Sequence, residues 1–156
     1  MRYYASETTV AWEKSRDEIE LVLKRYRCTH FGYMTTPAGV MIAFMRDKVP
    51  YRIEVPLPDP KSKDIRYKPN GQERSELQQR KELDQEQRRR WRVLLLLIKA
   101  KLEWVSLGMS TVEKEFLADI SLPNGTTLGQ WAAQQVHKAI EDGVMPQQIL
   151  ALPAAS

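Results

Sequence analysis

The sequence predicts an α+β domain in which a three-stranded antiparallel sheet is packed by helices, in the order α-β-β-β-α-α-α with a long second helix. Two patterns lead to this prediction. Three segments rich in β-branched and aromatic residues follow an amphipathic helical segment, and one uninterrupted helical pattern then covers residues 75–107. The 156 residues, 42% hydrophobic and 28% charged, fit one ordinary folded domain. Within this domain, residues 1–156, we predict an N-terminal arm (1–13), a flexible connection (58–73) and a peripheral tail (144–156).

The first helix is predicted over residues 16–27. Ser15 and Glu18 fit a capping box, in which a serine caps the helix and a glutamate three residues later reaches back to it. Apolar residues at spacings of three and four then define the face that should enter the core. These residues are Ile19, Val22, Leu23 and Tyr26.

Three strands are predicted next, over residues 29–35, 40–46 and 49–57, and short turns should join them into an antiparallel meander. In the third strand apolar and polar residues alternate, so one face should be buried and the other solvated. Pro50 and Pro56 cannot donate to a strand ladder, which indicates an edge strand.

The long helix should begin after Ser75, with Gln78 completing a capping box, and should end at Gly108 in the left-handed conformation. A short helix should follow Thr111. A last helix, capped by Thr127, should pack its apolar stripe on the long helix.

The long helix carries a line of positive charge. At about 100° per residue, five cations fall within a narrow sector, and two more widen it. The five are Arg74, Lys81, Arg88, Arg92 and Lys99, and the two are Arg89 and Arg90. The line would extend over roughly 35 to 40 Å, comparable to one turn of B-form DNA. It therefore predicts phosphate binding, with Trp91 as a residue that could stack on a base.

The same charges have a second interpretation, as a solvated helix surface, because oppositely charged residues four apart can pair. These pairs are Asp84 with Arg88, Glu86 with Arg90, and Lys99 with Glu103. Val93 and Leu96 also lie outside the main apolar sector of the helix. The second half should therefore be enclosed by other elements or by another subunit, which favours a structural or self-association role.

No residue pattern indicates catalysis. Cys28 is the only cysteine, and His30 and His137 belong to no metal-ligand motif. Glu115 and Asp119 share a helix face, as in some metal nucleases, but the helix dipole explains acidic residues in a first turn. A glycine-rich phosphate loop is also missing. We predict no catalytic residues, no metal, no cofactor and no enzymatic activity.

The single cysteine and the lack of a signal-peptide pattern predict a cytoplasmic protein. The apolar run over residues 93–98 is far shorter than the roughly 20 residues needed to span a bilayer, so no membrane partner is expected.

Three passages together resemble a family of small uncharacterised proteins encoded by bacteriophages and prophages. The passages are Ser15-Arg16-Asp17-Glu18-Ile19-Glu20 leading to Phe31-Gly32-Tyr33; Val55-Pro56-Leu57-Pro58; and Arg89-Arg90-Trp91-Arg92 through Lys99-Ala100-Lys101-Leu102-Glu103 to Glu115-Phe116-Leu117. The resemblance implies the cytoplasm of a bacterial host during infection, with phage DNA replication, recombination or evasion of host defence as the context. It transfers no catalytic residue.

The order of helix, three-stranded meander and helix is also similar to double-stranded-RNA-binding domains and to the core of phage single-strand annealing proteins. The chain lacks the lysine cluster that the first group carries at the start of a helix directly after the third strand. The long helix and its basic surface are closer to the second group, and a likeness of topology does not establish function.

These observations predict a phage-encoded, non-enzymatic accessory protein that associates with DNA or RNA by binding phosphates through its long basic helix. The alternative is an anti-defence protein that inhibits or regulates a host defence or nucleic-acid-processing complex by binding a host protein or ribonucleoprotein. A homo-oligomer is compatible with either function.

Overall fold

A computed structural model describes residues 5, 7–36 and 39–144, and it confirms the predicted α+β class and element order. The helices are α1 (Trp12–Arg25), α2 (Lys63–Arg66), α3 (Glu76–Ser106), α4 (Val112–Glu115) and α5 (Leu128–Asp142), with a 3₁₀ turn at Leu117–Asp119. The strands are β1 (Thr29–Thr36), β2 (Gly39–Arg46) and β3 (Val49–Pro56). Most of the predicted tail, residues 145–156, lies outside the described residues, as do residues 1–4 and 6 of the predicted arm.

The sheet is an antiparallel meander in the order β1-β2-β3, so β3 is an edge strand as its two prolines predict. Asp47 and Lys48 join β2 to β3 with φ angles of 49° and 67°, a two-residue turn that matches the twist of the flanking strands. The alternation in β3 is also confirmed, because Tyr51, Ile53 and Val55 are buried while Glu54 and Pro56 are exposed.

The core lies between α1, α3 and the inner face of the sheet. The middle of α3 contributes four buried residues at spacings of four, three and four: Trp91, Leu95, Ile98 and Leu102. Ile19 and Leu23 come from α1, and Ile42 and Phe44 come from β2. This packing fixes which face of α3 points inward and which surfaces remain for partners.

The start of α1 differs from the prediction. The helix begins at Trp12 with Ala11 as its N-cap, and no side chain caps it. Trp12 packs on Trp91 with ring centroids 5.7 Å apart, so this contact with α3 extends the helix beyond the capping signal. Ser15 therefore lies inside α1, fully buried, and its hydroxyl has no hydrogen-bond partner among the described residues.

Replacing Ser15 with alanine should raise the free energy of unfolding by about 0.5 to 1 kcal/mol, since the change removes a buried unpaired hydroxyl and favours the helix. Chemical denaturation would measure the effect. A serine at an N-cap would give the opposite sign, a loss of about 1 kcal/mol, so a destabilised variant would contradict the observed helix start.

The connection predicted to be flexible contains the one-turn helix α2, whose Ile65 is buried. Arg74 closes it by donating hydrogen bonds to the carbonyl oxygens of Asp64 at 2.6 Å, of Ile65 at 3.2 Å and of Tyr67. The connection is thus attached to the base of α3.

The last helix has the predicted cap but not the predicted neighbour. Thr127 and Gln130 form a capping box, and Gly143 ends α5 in the left-handed conformation. The main contact of α5 is with the 3₁₀ turn rather than with α3, and its apolar residues Val136 and Ile140 remain exposed. The prediction that this stripe packs on the long helix was therefore wrong.

Candidate nucleic-acid interface

Helix α3 forms a continuous support for charged residues, and its 31 residues contain neither glycine nor proline. Its N-terminus has the predicted capping box between Ser75 and Gln78, and Gly108 follows its end with a φ of 73°. At about 1.5 Å per residue the helix is roughly 45 Å long.

Three consecutive arginines form the densest group of positive charge on α3. Arg88 Nη2 lies 2.6 Å from Asp84 Oδ2, Arg89 Nη1 lies 3.0 Å from Glu86 Oε2, and Arg90 Nε lies 3.1 Å from Glu86 Oε1. Arg90 also donates a hydrogen bond of 2.6 Å to the carbonyl oxygen of Pro56 at the end of β3. Their side chains are 33%, 31% and 34% exposed, so each remains accessible while paired.

The net charge of the chain is concentrated in this part of the sequence. Residues 74–99 contain eight cations: Arg74, Arg80, Lys81, Arg88, Arg89, Arg90, Arg92 and Lys99. They contain four carboxylates: Glu76, Glu82, Asp84 and Glu86. The difference of four equals the formal charge of +4 of the entire chain. The remaining residues together carry no net charge, so the net positive charge of the chain comes from this segment.

Two predicted phosphate contacts instead face α1. Glu18 of α1 accepts a hydrogen bond from Lys99 Nζ, and its other carboxylate oxygen lies 3.7 Å from Arg92 Nη1. The hydrogen bond from Lys99, followed by the charges of Lys99 and Arg92, lowers the pKa of Glu18 from its ordinary value of 4.5 despite partial burial. These contacts hold α1 against the middle of α3.

Replacing Glu18 with glutamine should lower the free energy of unfolding at neutral pH by about 0.5 to 1 kcal/mol, a small effect because the pair is partly exposed. A lowered carboxyl pKa stabilises the fold above pH 4.5 and loses this contribution as pH falls through the folded pKa. Denaturation of both proteins at pH 7 and below pH 4 should therefore show a difference that shrinks in acid. A difference that grows in acid would contradict this assignment.

Arg74 and Lys81 differ in their surroundings. The guanidinium of Arg74 is bound to the carbonyl oxygens of the connection, and its Nη2 lies 3.6 Å from Glu82, so its observed role is structural. Lys81 is exposed and has no hydrogen-bond or ion-pair partner within the described ranges. Of these two, Lys81 is the one accessible to an anion.

The stacking role predicted for Trp91 requires a correction. Its ring is fully buried in the core, against Trp12, and neither of its faces is accessible to a base. The reason is its position in the inward-facing sector of α3, together with Leu95 and Ile98.

Comparison with known proteins found no matching family model, no similar curated protein and no similar solved structure.

The residues that could carry chemistry do not converge. Cys28 is buried, and burial raises the pKa of its thiol to about 11. The Nδ1 atom of His30 lies 2.8 Å from the hydroxyl of Thr29. Burial raises the pKa of Asp119, and nearby Lys101 opposes the shift. Within residues 5, 7–36 and 39–144 no group of three or more potential metal ligands comes together.

In the same ranges, no helix combines the length and apolarity of a membrane span.

The sequence did not reveal the contact between α1 and α3 in which Glu18 pairs with Arg92 and Lys99. Glu18 is 81 residues from Lys99 along the chain, so no local spacing could reveal their contact. It also left unassigned other apolar residues exposed on α3, including Leu97 and Trp104.

Proposed function

We propose that this protein is a non-enzymatic nucleic-acid-associated accessory protein that binds backbone phosphates through the first half of α3. The observation that carries the proposal is the group of three consecutive arginines, Arg88, Arg89 and Arg90, each about one third exposed, with the exposed Lys81 two helix turns before them. Lys81, Arg88, Arg89 and Arg90 are the proposed contacts. Arg74, Arg92 and Lys99 have structural partners, and Trp91 has no part in binding.

The ion pairs around the arginines are compatible with phosphate binding. Each arginine is about one third exposed, and an exposed ion pair contributes only about 0 to 1 kcal/mol. A phosphate can therefore replace Asp84 or Glu86 as the partner of a guanidinium, and it accepts two hydrogen bonds from the same fork geometry. The carboxylates then act as competitors that weaken, without preventing, the binding of a polyanion.

The resemblance to phage and prophage proteins supplies the proposed context, which is the cytoplasm of an infected bacterium. A protein that binds phosphates without reading bases would coat or bridge nucleic acid during phage replication or recombination.

The test is a fluorescence-anisotropy titration of the full chain against labelled single-stranded DNA, duplex DNA and RNA at two salt concentrations. Binding should weaken steeply with salt, with a slope of about −0.9 in log K against log salt for each phosphate contacted on duplex DNA. Failure to bind any of the three polymers at low salt would overturn the proposal.

A second function is favoured by a different observation, the exposure of Val93, Leu97 and Trp104 on α3. An apolar surface of this kind suits a protein partner, which could be a host defence or nucleic-acid-processing complex that the chain inhibits. Binding of such a partner should depend on Leu97 and little on salt, the reverse of phosphate binding.

A further inference from the structure

The connection between β3 and α3 forms a cavity that has no part in the function proposed above. The cavity has a volume of about 690 Å³ and is open to solvent. Its lining comes from α2, from the turn at residues 68–71 and from the residue directly before the N-cap of α3. Ligand sites commonly have volumes of about 300 to 1,000 Å³, so this cavity has room for a group of the size of one nucleotide.

Hydrogen bonds hold the wall of the cavity in place. The amide of Gly71 donates to the carbonyl oxygen of Lys68 at 2.8 Å and closes a turn that has Pro69 in its second position. The amide of Arg74 donates to the carbonyl oxygen of Arg66 at 2.7 Å, which pairs the two arms of the turn. The guanidinium of Arg74 also binds carbonyl oxygens of α2. A wall fixed in this way loses little conformational entropy when a ligand binds.

The ring of Tyr67 is the aromatic surface of the cavity. It is 37% exposed, and its hydroxyl has no hydrogen-bond partner in the described part of the chain. Arg66 contacts the ring, with its Cζ 5.6 Å from the ring centroid, but it pairs with Glu73 and does not line the cavity. The ring therefore remains accessible from the cavity. An exposed aromatic ring is a stacking surface for any nucleobase, because every base has a π-face.

The charges around the ring favour an anion. Of the four charged residues that line the cavity, Lys63, Lys68 and Arg74 are cations and one, Asp64, is a carboxylate. Lys63 is exposed and has no hydrogen-bond or ion-pair partner within the described ranges. Lys68 Nζ lies 3.2 Å from a neutral group, Gln72 Oε1. Two ammonium groups are thus available to phosphate oxygens, next to a ring that can stack on a base.

The cavity lies at the end of the line of proposed phosphate contacts. Arg74 borders it, and Lys81 and Arg88 follow at intervals of seven residues. Seven residues are nearly two helix turns, so each group lies about 10 Å further along the same side of α3. A strand whose phosphates follow this line reaches the cavity at the start of the helix.

We propose that the cavity binds one unpaired nucleotide of a single strand of DNA or RNA, with its base stacked on Tyr67 and its phosphate held by Lys63 and Lys68. The inference rests on the proposed function and specifies the class of nucleic acid. Bases in a duplex stack on each other, whereas those of a single strand are free to stack on a protein ring. An open cavity also leaves room for the neighbouring nucleotides of the strand. The cavity therefore adds affinity for single strands and none for duplexes.

The test compares Tyr67→Ala with the wild type in anisotropy titrations against a labelled single strand and against the duplex of the same sequence. Loss of one stacked base should lower the affinity for the single strand about tenfold and change the affinity for the duplex by less than about twofold. Tyr67→Phe should bind both as the wild type does, because it keeps the ring. Trp104→Ala is the matched control, since it removes an exposed ring from the far end of α3, and it should also bind normally.

The outcomes separate this inference from the proposed function. Unchanged affinity of Tyr67→Ala for the single strand would overturn the inference and leave phosphate binding by α3 intact. Equal losses for strand and duplex, or equal losses in Tyr67→Ala and Trp104→Ala, would also overturn it. If the wild type binds neither polymer, the proposed function fails together with the inference.

Photo-crosslinking gives a second measurement that needs no substitution. A single strand that carries iodouracil bases should label Tyr67 in the wild-type protein under ultraviolet light. Trypsin cleaves after Arg66 and Arg74 but not between Lys68 and Pro69, so the labelled peptide is residues 67–74. Tyr67 is its single aromatic residue, and mass spectrometry would identify it directly. Adducts confined to other peptides would overturn the inference.

Competition with a free mononucleotide distinguishes a strand from a small ligand. A mononucleotide cannot reach Lys81 or Arg88 from the cavity, so micromolar concentrations should leave the labelled strand bound. Displacement at micromolar concentration would assign the cavity to a free nucleotide and overturn its assignment to a strand.

Discussion

Replacing Arg88 and Arg89 with glutamine should lower the affinity for nucleic acid by about 100-fold at low salt. A hydrogen bond to a charged group contributes about 1.5 kcal/mol, which corresponds to about a tenfold change in affinity for each arginine. The slope of log K against log salt on duplex DNA should also fall by about 2, because two phosphate contacts are lost. Both quantities come from the same anisotropy titrations.

The acidic partners of these arginines provide a control of opposite sign. Replacing Asp84 with asparagine and Glu86 with glutamine removes the carboxylates that lie 2.6 to 3.1 Å from the three guanidinium groups. Affinity for nucleic acid should then rise, since a phosphate no longer has to displace a carboxylate from the arginines.

A second control removes positive charge elsewhere. Lys114→Gln with Lys138→Gln lowers the net charge by the same amount as the arginine variant, from exposed positions on α4 and α5. This protein should bind nearly as the wild type does. An equal loss of affinity in both double variants would mean that only overall charge matters and would contradict a site on α3.

The parts of the fold that the sequence predicted correctly depend on local chemistry. The strands agree with the prediction to within one residue at each end, because alternation and the turn at Asp47 and Lys48 are read from neighbouring residues. The caps at Ser75 and Thr127 are equally local, since each joins residues three apart.

The errors arose where distant parts of the chain meet. Ser15 and Glu18 have the spacing of a capping box, but the helix begins three residues earlier, at Trp12, whose ring packs on Trp91. The helical angles placed Arg92 beside Arg88 correctly, but no local pattern shows that Glu18 faces Arg92. A line of charge on a helix predicts a surface only after the faces covered by other elements are known.

A second apolar face of α3, which includes Val93, Leu97 and Trp104, shows the same limit of local patterns. Its residues recur at helical spacing in the sequence, and Val93 lies outside the main apolar sector. A sequence with two apolar sectors on one helix does not show which of them the domain buries. Burial of Leu95 and Leu102 decides this, and it leaves Val93, Leu97 and Trp104 exposed.

Replacing Trp91 with alanine should lower the free energy of unfolding by about 3 to 5 kcal/mol, because the change empties the largest fully buried side-chain volume of the core. Trp91→Phe should restore most of this loss. The phenyl ring keeps contact with Trp12, and the indole Nε1 that it removes is buried without a hydrogen-bond partner in the described structure. Urea denaturation monitored by circular dichroism measures both variants.

Trp104 is the matched control, since it is the same residue type on the same helix but half exposed. At concentrations low enough for the chain to be monomeric, Trp104→Ala should change the unfolding free energy by less than about 0.5 kcal/mol, as surface substitutions do. The contrast separates two roles for Trp91, because a ring that stacks on bases would affect binding and not stability. If Trp91→Ala kept its stability and lost affinity for nucleic acid, Trp91 would belong to the interface and the burial derived from α3 packing would be wrong. If Trp91→Ala unfolds at lower urea while Trp91→Phe binds normally, Trp91 stabilises the core and the binding is left to Lys81 and the three arginines.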